Sequence, residues 1–207
     1  MKQAGKSRGG RPWSFDREAA IETAMTLFWR HGYEGVSVGD LTKAIGIAPP
    51  SLYAAFGSKA GLYALAMDRY TNTFGCLTDL DIESEETLSA AVRLLLESAV
   101  RTVTHRERER GCMISSGLVA SHPDLADLAE EAAMRREGLR ERVAQSLQRF
   151  GPEEEIRRLS RYLLAVMQGI SVQARDGVDA AQLQEIVDAV VTGLAAESPE
   201  SKTANGK

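Results

Sequence analysis

Apolar residues recur every three or four positions along most of this chain, the spacing of one face of an α-helix. The first such run follows Asp16, a good N-cap residue, and ends before Gly32. Ser37 opens a second, short helix, because Asp40 follows three residues later in a capping-box arrangement. Gly46 ends that helix. The pattern therefore predicts two capped helices before residue 47.

The helical pattern continues to the end of the chain. A third short helix is predicted from Pro50 to Phe56, since prolines are tolerated in a first turn, and Ser58 caps a fourth helix that runs to about Phe74. A short segment begins near Cys112, and Pro123 is predicted to start a long helix. Further apolar stripes predict three more helices. Their apolar positions are Leu88, Val92, Leu95, Ala99 and Val103 in one, Leu159, Leu163, Val166, Met167 and Ile170 in the next, and Leu183, Ile186, Val187, Val190 and Leu194 in the last. Strand-like alternation and internal repeats are absent from the sequence, so the predicted fold class is all-α.

Composition restricts the class of protein. Of 207 residues, 43% are hydrophobic and 26% charged, a balance typical of a globular protein with a real core. The sequence has no apolar run long enough for a transmembrane helix and no secretory signal, so we expect a cytoplasmic protein. Cys76 and Cys112 are too few for a disulfide framework and are expected to be thiols.

Charge is distributed unevenly along the chain. Residues 1–60 carry a net charge of +3, whereas the remaining residues bring the total to -4. The first 15 residues hold Lys2, Lys6, Arg8 and Arg11 and no acid. A basic end on an acidic body favours binding of a polyanion at that end, although a solvated charged tail has the same composition.

The most informative stretch is SVGDLTKAIGIAPPSLYAAFGSK, from Ser37 to Lys59. Two short helices joined by a tight turn that contains glycine are typical of a helix-turn-helix. In that motif the second helix lies in the DNA major groove and the first helix braces it.

Residues 19–67 resemble the TetR-type family of bacterial regulators. The resemblance is carried by AMTLFWRHGYEGVSVGDL and AIGIAPPSLYAAFGSKAGLYALAM, which include Leu52, Tyr53, Phe56 and Lys59. It implies a three-helix DNA-binding domain followed by a larger ligand-binding and dimerisation domain. We accordingly predict a basic arm at 1–15, a DNA-binding domain at 16–62, a ligand-binding and dimerisation domain at 63–197 and a disordered tail at 198–207.

The resemblance also assigns DNA-binding positions. The residues that match phosphate contacts are Ser37, Tyr53 and Lys59. The residues that match base-facing positions are Thr42, Ala48, Pro49, Ser51 and Ala54, and the adjacent Pro50 is also predicted to bind DNA. Most of these side chains are small or apolar, so contacts with thymine methyl groups and DNA shape are expected more than bidentate hydrogen bonds. Many family members have lysine and glycine where this chain has Pro49 and Pro50. Arg11, with the rest of the arm, is a candidate for the minor groove.

The function implied is that of a repressor that binds a palindromic operator as a homodimer and is released by a small-molecule effector; a minority of such regulators activate. The predicted dimer interface lies near residues 156–174 and 180–195. The predicted effector-pocket residues are Met67, Tyr70, Phe74, Leu95, Cys112, Met113, Ser116 and Met167. Any single one of them is more often a core residue than a ligand contact, and no cofactor is expected.

Two alternatives stay open at this point, and two others are disfavoured. Cys112 follows Gly111 and the basic run from His105 to Arg110, features that favour a reactive thiolate, so a redox- or electrophile-sensing repressor is one alternative. A helical adaptor that binds only protein is another. An enzyme is disfavoured because no P-loop, GxSxG, HExxH or dinucleotide fingerprint occurs. Metal sensing through Cys76, Cys112, His105 and His122 has no supporting ligand spacing, so no metal site is predicted.

Overall fold

The computed structural model describes residues 15–77, 80–118 and 122–197. Within these ranges the chain forms α-helices and short 3-10 turns and no strand, which confirms the all-α prediction. The helices are α1 (Arg17–His31), α2 (Val38–Ile45), α3 (Pro49–Phe56), α4 (Lys59–Phe74), α5 (Leu88–Val103), α6 (Met113–Ser116), α7 (Ala126–Leu147), α8 (Glu153–Arg175) and α9 (Ala180–Glu197).

The N-terminal caps lie where the sequence places them. Asp16 accepts hydrogen bonds from the first turn of α1, and Ser37 and Asp40 form a complete capping box at α2. Two boundaries differ from prediction. The third helix begins at Pro49 because Ala48 already has the extended backbone of an N-cap. Pro123 begins a 3-10 turn rather than the long helix, which starts after that turn at Ala126.

Two hydrophobic clusters organise the molecule. The aromatic cluster joins α1–α4 to α6 and the start of α7, and its buried rings are Phe28, Trp29, Phe56, Tyr63 and Tyr70. The aliphatic cluster joins α5, α7, α8 and α9, and its buried side chains are aliphatic or methionine. In the pairing of helices, α1 packs on α4, α5 on α9 and α7 on α8.

Helix α4 belongs to the aromatic cluster along most of its length. Leu62 lies at its N-terminal end, and Tyr63, Met67 and Tyr70 continue the same buried face. The predicted domain boundary between residues 62 and 63 therefore falls inside a continuous helix and a continuous cluster. Among the residues described, no helix has both the length and the apolar character needed to cross a membrane.

Candidate nucleic-acid interface

The turn between α2 and α3 fixes the two helices relative to each other. Gly46 adopts a left-handed conformation (φ 78°, ψ 32°), which favours glycine. The amides of Gly46 and Ile47 both donate to the Thr42 carbonyl, at 2.9 and 3.0 Å. These bonds end α2 and direct the chain into Ala48, the N-cap of α3. The tight glycine-containing turn expected of the motif is thus present.

The first turn of α3 is apolar. Pro49 and Pro50 have no N–H, and the next two amides, of Ser51 and Leu52, both donate to the Ala48 carbonyl. The amides that commonly bind anions at a helix N-terminus are therefore missing or used internally. This end of α3 presents proline rings and a methyl group instead.

The two faces of α3 are clearly divided. Leu52 and Phe56 are buried and anchor the helix to the aromatic cluster. Ala48, Pro49, Pro50 and Ala54 are exposed, and Ser51 is half-buried. The Tyr53 side chain is 49% exposed, one of few large hydrophobic side chains so open. The exposed face therefore consists of the residues that the sequence assigned to DNA.

A second part of this surface lies at the start of α2 and α4. The Ser37 hydroxyl donates to the Asp40 carboxylate at 2.6 Å and accepts from the Asp40 amide at 3.1 Å. The Ser37 amide also donates to this carboxylate at 2.9 Å, and the hydrogen bonds from the Ser37 hydroxyl and amide are the main causes that hold the pKa of Asp40 below its ordinary value. The Lys59 ammonium lies 4.1 Å from the centre of the Tyr33 ring. Partial burial lowers the pKa of Lys59, while the charges of Glu34 and Asp40 oppose that shift.

Some predicted DNA contacts are placed less favourably. Thr42 is only 6% exposed, and its hydroxyl donates to the Val38 and Gly39 carbonyls within α2. A buried hydroxyl that is already bonded is poorly placed to meet a base edge in this conformation, and a contact between Thr42 and DNA stays a prediction. Arg11 lies outside the described residues, as does the rest of the predicted arm up to residue 14.

Sequence analysis did not identify Tyr33, whose ring lies against the Lys59 ammonium in a cation–π contact. Its ring stacks on Phe28 at 6.0 Å and meets Tyr63 edge-on at 5.1 Å. The glycine–tyrosine pair at residues 32–33 is part of the resemblance and could have drawn attention to this ring. Trp29, another aromatic residue in the same stretch, was also given no role.

A small cavity lies where α4, α5, α6, α7 and α8 meet. Its volume is about 20 Å³, and its lining includes Tyr70, Cys112 and Met167 from the predicted effector pocket. The other predicted residues lie elsewhere: Met67 and Met113 are buried in the aromatic cluster, Phe74 packs beside Trp29, and Leu95 is buried in the aliphatic cluster. The Ser116 side chain lies outside the described part of the structure.

The cavity also contains groups that sequence reasoning did not assign. Cys76, Thr102 and Arg142 contribute to its wall. Burial raises the pKa of Cys76 to about 12. The Tyr70 side chain is 1% exposed, and its burial together with the nearby Cys112 thiol raises the pKa of Tyr70 well above the ordinary value. The two cysteine thiols, the Met167 thioether and the Tyr70 phenol thus line one small cavity.

Cys112 is half-buried and is the N-cap of α6, where its sulfur accepts from the Ser115 amide at 3.5 Å. Neither cysteine forms a disulfide. Two arginines of the preceding basic run are engaged with other groups, since Arg108 lies over the Phe74 ring and Arg110 donates to the Val178 carbonyl. Within the described residues, no group of three or more potential ligands could hold a metal ion.

Comparison with known proteins places this geometry in a family. The profile of the bacterial regulatory proteins of the tetR family matches residues 20–66. The HTH-type transcriptional repressor ComR of Escherichia coli (strain K12) is 32% identical over 191 residues, which cover 89% of this chain and 91% of ComR. The HTH-type transcriptional repressor BdcR of the same strain is 33% identical over 175 residues, covering 84% of this chain and 86% of BdcR.

A solved structure extends the likeness to the whole fold. It is a cysteine-substituted variant of the TetR family transcriptional regulator CifR in complex with 26-bp double-strand operator DNA. Its TM-score to this chain is 0.81 at 31% identity, with 88% of this chain and 98% of that chain covered. Because the match to ComR exceeds 30% identity and spans nearly all of both chains, this protein belongs to the TetR family of bacterial regulatory proteins.

Proposed function

We propose that this protein is a transcriptional repressor that binds a palindromic operator as a homodimer and is released through its C-terminal domain. The observation that carries DNA binding is the exposed face of α3, whose buried side is anchored in the aromatic cluster. The curated relatives ComR and BdcR are repressors, and the CifR variant is bound to operator DNA, which supports the same role here.

The chemistry of α3 favours a particular kind of base readout. Proline rings and the methyl groups of Ala48 and Ala54 suit contact with thymine methyl groups in the major groove. Tyr53 and Lys59 supply a hydroxyl and a charge for phosphates, which position the protein without reading sequence. We therefore expect an operator whose central half-site positions are rich in A·T pairs.

The first experiment is a gel shift with DNA from upstream of the protein's own gene and its neighbours, followed by selection from random DNA. One retarded fragment with a palindromic site is the expected result. Lys59→Met should reduce the slope of log affinity against log salt by about one, because one phosphate contact is lost. If neither local DNA nor selection yields a palindromic site, the repressor assignment is wrong.

A matched pair of variants tests the role of Tyr53. Tyr53→Phe removes one hydroxyl and keeps the ring, and we expect a loss of operator affinity of about fivefold, the value of one hydrogen bond. Ser84→Ala is the control, since it also removes an exposed hydroxyl, and Ser84 lies in the 3-10 turn before α5, outside α3 and outside the helices proposed for dimerisation. An equal loss in both variants would show that Tyr53 has no specific contact with DNA.

Dimerisation is proposed through α8 and α9. A symmetric operator requires a two-fold axis in the protein. Tyr162 and Val172 on α8 remain 51% and 49% exposed. A groove of about 580 Å³ between α8 and α9 is lined mainly by apolar groups such as Leu159 and Leu194, together with the charged Glu155 and Arg158. A second copy of this chain would cover these side chains.

Sedimentation at micromolar concentration tests the dimer. Tyr162→Glu places a charge on the proposed interface and should shift the protein to monomer. Met134→Glu is the control because Met134 is 61% exposed on α7, a helix that is not part of the proposed interface. A Tyr162→Glu protein that sediments as the wild type does would place the interface elsewhere.

The size of the cavity favours a second candidate for the release mechanism. Pockets for drug-sized ligands measure several hundred cubic ångströms, whereas this one has room for about one water molecule. Reaction at the half-buried Cys112 thiol needs no such space beforehand.

Two reactions of the Cys112 thiol are chemically possible. With a hydroperoxide, the thiolate sulfur takes the terminal oxygen, the O–O bond breaks, and the alkoxide leaves as an alcohol after protonation. With an electrophilic alkene, sulfur adds to one carbon and a proton to the other.

Gel shifts on peroxide-treated protein test this trigger. Cys112→Ser should keep operator binding and lose the response, whereas Cys76→Ser should keep both, because the high pKa of the Cys76 thiol makes it a poor nucleophile. A Cys112→Ser protein that still responds would rule out the thiol trigger and leave a non-covalent effector that enlarges the cavity.

A further inference from the structure

We propose that the peptide group between Gly111 and Cys112 couples the cavity to the DNA-binding helices, with Trp29 and Ser171 as the positioning residues at its two ends. The inference rests on the release through the C-terminal domain proposed above. It concerns how a change at Cys112 reaches α1.

One planar group makes both hydrogen bonds. The Gly111 carbonyl accepts from the Trp29 indole Nε1 at 2.9 Å, and this buried bond joins residues 82 positions apart. The N–H of the same peptide group, on Cys112, donates to the Ser171 hydroxyl at 2.8 Å. Because a peptide group is planar, its carbonyl and N–H rotate together. Rotation that breaks the bond to α1 also disturbs the bond to α8.

Gly111 makes this arrangement possible. Its φ of +80° lies in the left-handed region, and a Cβ there would come within 2.5 Å of the Arg175 side chain. Arg175 in turn donates to the Trp29 carbonyl at 2.8 Å, so α8 holds the C-terminal turn of α1 directly. Helix α1 is therefore bonded to α8 in two ways, directly by the Arg175 side chain and indirectly by the peptide group between Gly111 and Cys112.

Two residues of the cavity wall, Cys112 and Tyr70, connect the cavity to Trp29. Cys112 lines the cavity with its side chain and carries the N–H of the bridging peptide. Tyr70, also in the cavity wall, packs edge-on against the indole with centroids 4.8 Å apart. An added group on the Cys112 sulfur, in a space of about 20 Å³, must displace its neighbours. Displacement of either Tyr70 or the peptide group changes the position of Trp29, and with it α1.

A first measurement requires no trigger. Trp29→Phe keeps an aromatic ring but removes the donor, and we expect the Cys112 amide to exchange its hydrogen about tenfold faster by NMR. Arg30→Gln is the matched control. Its ion pair with Glu109 (2.6 Å) also links α1 to the segment before α6, but Arg30 is exposed, so exchange should change less than about twofold. An unchanged exchange rate in Trp29→Phe overturns the coupling whatever the trigger proves to be.

A second measurement separates the coupling from the trigger. In a Cys76→Ser background the chain holds one cysteine, so N-ethylmaleimide reacts at Cys112 alone. Alkylation should weaken operator binding at least tenfold in that background and less than about threefold when Trp29→Phe is added, a coupling of the size that one hydrogen bond provides. An equal loss in both proteins overturns the coupling. If alkylation has no effect even with Trp29 intact, the thiol trigger is wrong, and the exchange measurement alone decides the coupling.

Discussion

The aromatic and the aliphatic cluster hold their helices together in different ways. In the aromatic cluster the rings meet at defined angles: Phe28 and Tyr63 are nearly perpendicular, as are Trp29 and Tyr70. Such pairs prefer edge-on or offset arrangements and therefore constrain orientation. The aliphatic cluster buries leucine, isoleucine and valine, whose attraction depends on area and hardly on direction. The helices that present the DNA-binding face are thus held in a fixed orientation, while α5, α7, α8 and α9 are held mainly by area.

The two kinds of packing suit different structural requirements. A helix-turn-helix must keep two short helices at one angle to fit a groove, and directional ring contacts suit that need. The release proposed above requires the helices of the aliphatic cluster to pass between arrangements that differ little in energy, and aliphatic packing tolerates small shifts of one helix along another. The two clusters meet at Cys112, which packs against both.

The largest expected effects come from truncation in each cluster. Phe28→Ala should lower the free energy of unfolding by about 3–5 kcal/mol, and Leu163→Ala by about 2–5 kcal/mol, since both side chains are fully buried. Urea unfolding at matched protein concentration measures both changes. The near-UV circular dichroism signal of the rings should weaken strongly in Phe28→Ala and stay close to wild type in Leu163→Ala. Equal loss of that signal would mean that the clusters are not separate.

Replacement of glycine by alanine should change the free energy of unfolding in opposite directions in α4 and in α7. In Gly61→Ala the new Cβ would lie 2.3 Å from the Phe56 carbonyl oxygen, so the start of α4 must shift. We expect a cost of about 1–3 kcal/mol, the range for overpacking. Gly138→Ala, on α7, meets nothing within 4 Å and should stabilise by about 0.5–1 kcal/mol because glycine is a poor helix former. Thermal unfolding of both variants checks the signs, and stabilisation by Gly61→Ala would contradict the close approach.

Local features of the fold were predictable, and contacts distant in sequence were not. Ser37 and Asp40 are three residues apart, so the capping box could be deduced from spacing and is present. The bond from Trp29 to Gly111 joins residues 82 positions apart, and helical periodicity contains no information about such a partner. Periodicity also identified the buried face of α4 but could not tell which of its side chains line the cavity, so Met67 was grouped with Tyr70.

Helix caps offer a smaller test in the two regions. Ser37→Ala removes one side of a capping box, and Thr87→Ala removes the single bond at 3.2 Å from the Ala90 amide to the Thr87 hydroxyl at α5. Each should cost about 0.5–2 kcal/mol of unfolding free energy, with Ser37 toward the upper end. Only Ser37→Ala should also weaken operator binding in a gel shift. A similar loss of DNA affinity in Thr87→Ala would mean that caps act on DNA binding only through stability.

The smallest effect concerns the exposed ion pair of Arg30 and Glu109, which joins α1 to the segment before α6. The hydrogen bond from Arg30 holds the pKa of Glu109 below its ordinary value of 4.5 in the folded protein. A carboxyl group with a lowered pKa stabilises the folded state above the unfolded pKa, and this contribution is lost as the pH falls through the folded value. The difference in unfolding free energy between wild type and Glu109→Gln should therefore be constant from about pH 7 to pH 5.5 and shrink below 4.5. Chemical denaturation across that range measures it. A difference that grows as the pH falls would mean that burial, rather than the hydrogen bond from Arg30, dominates the pKa of Glu109.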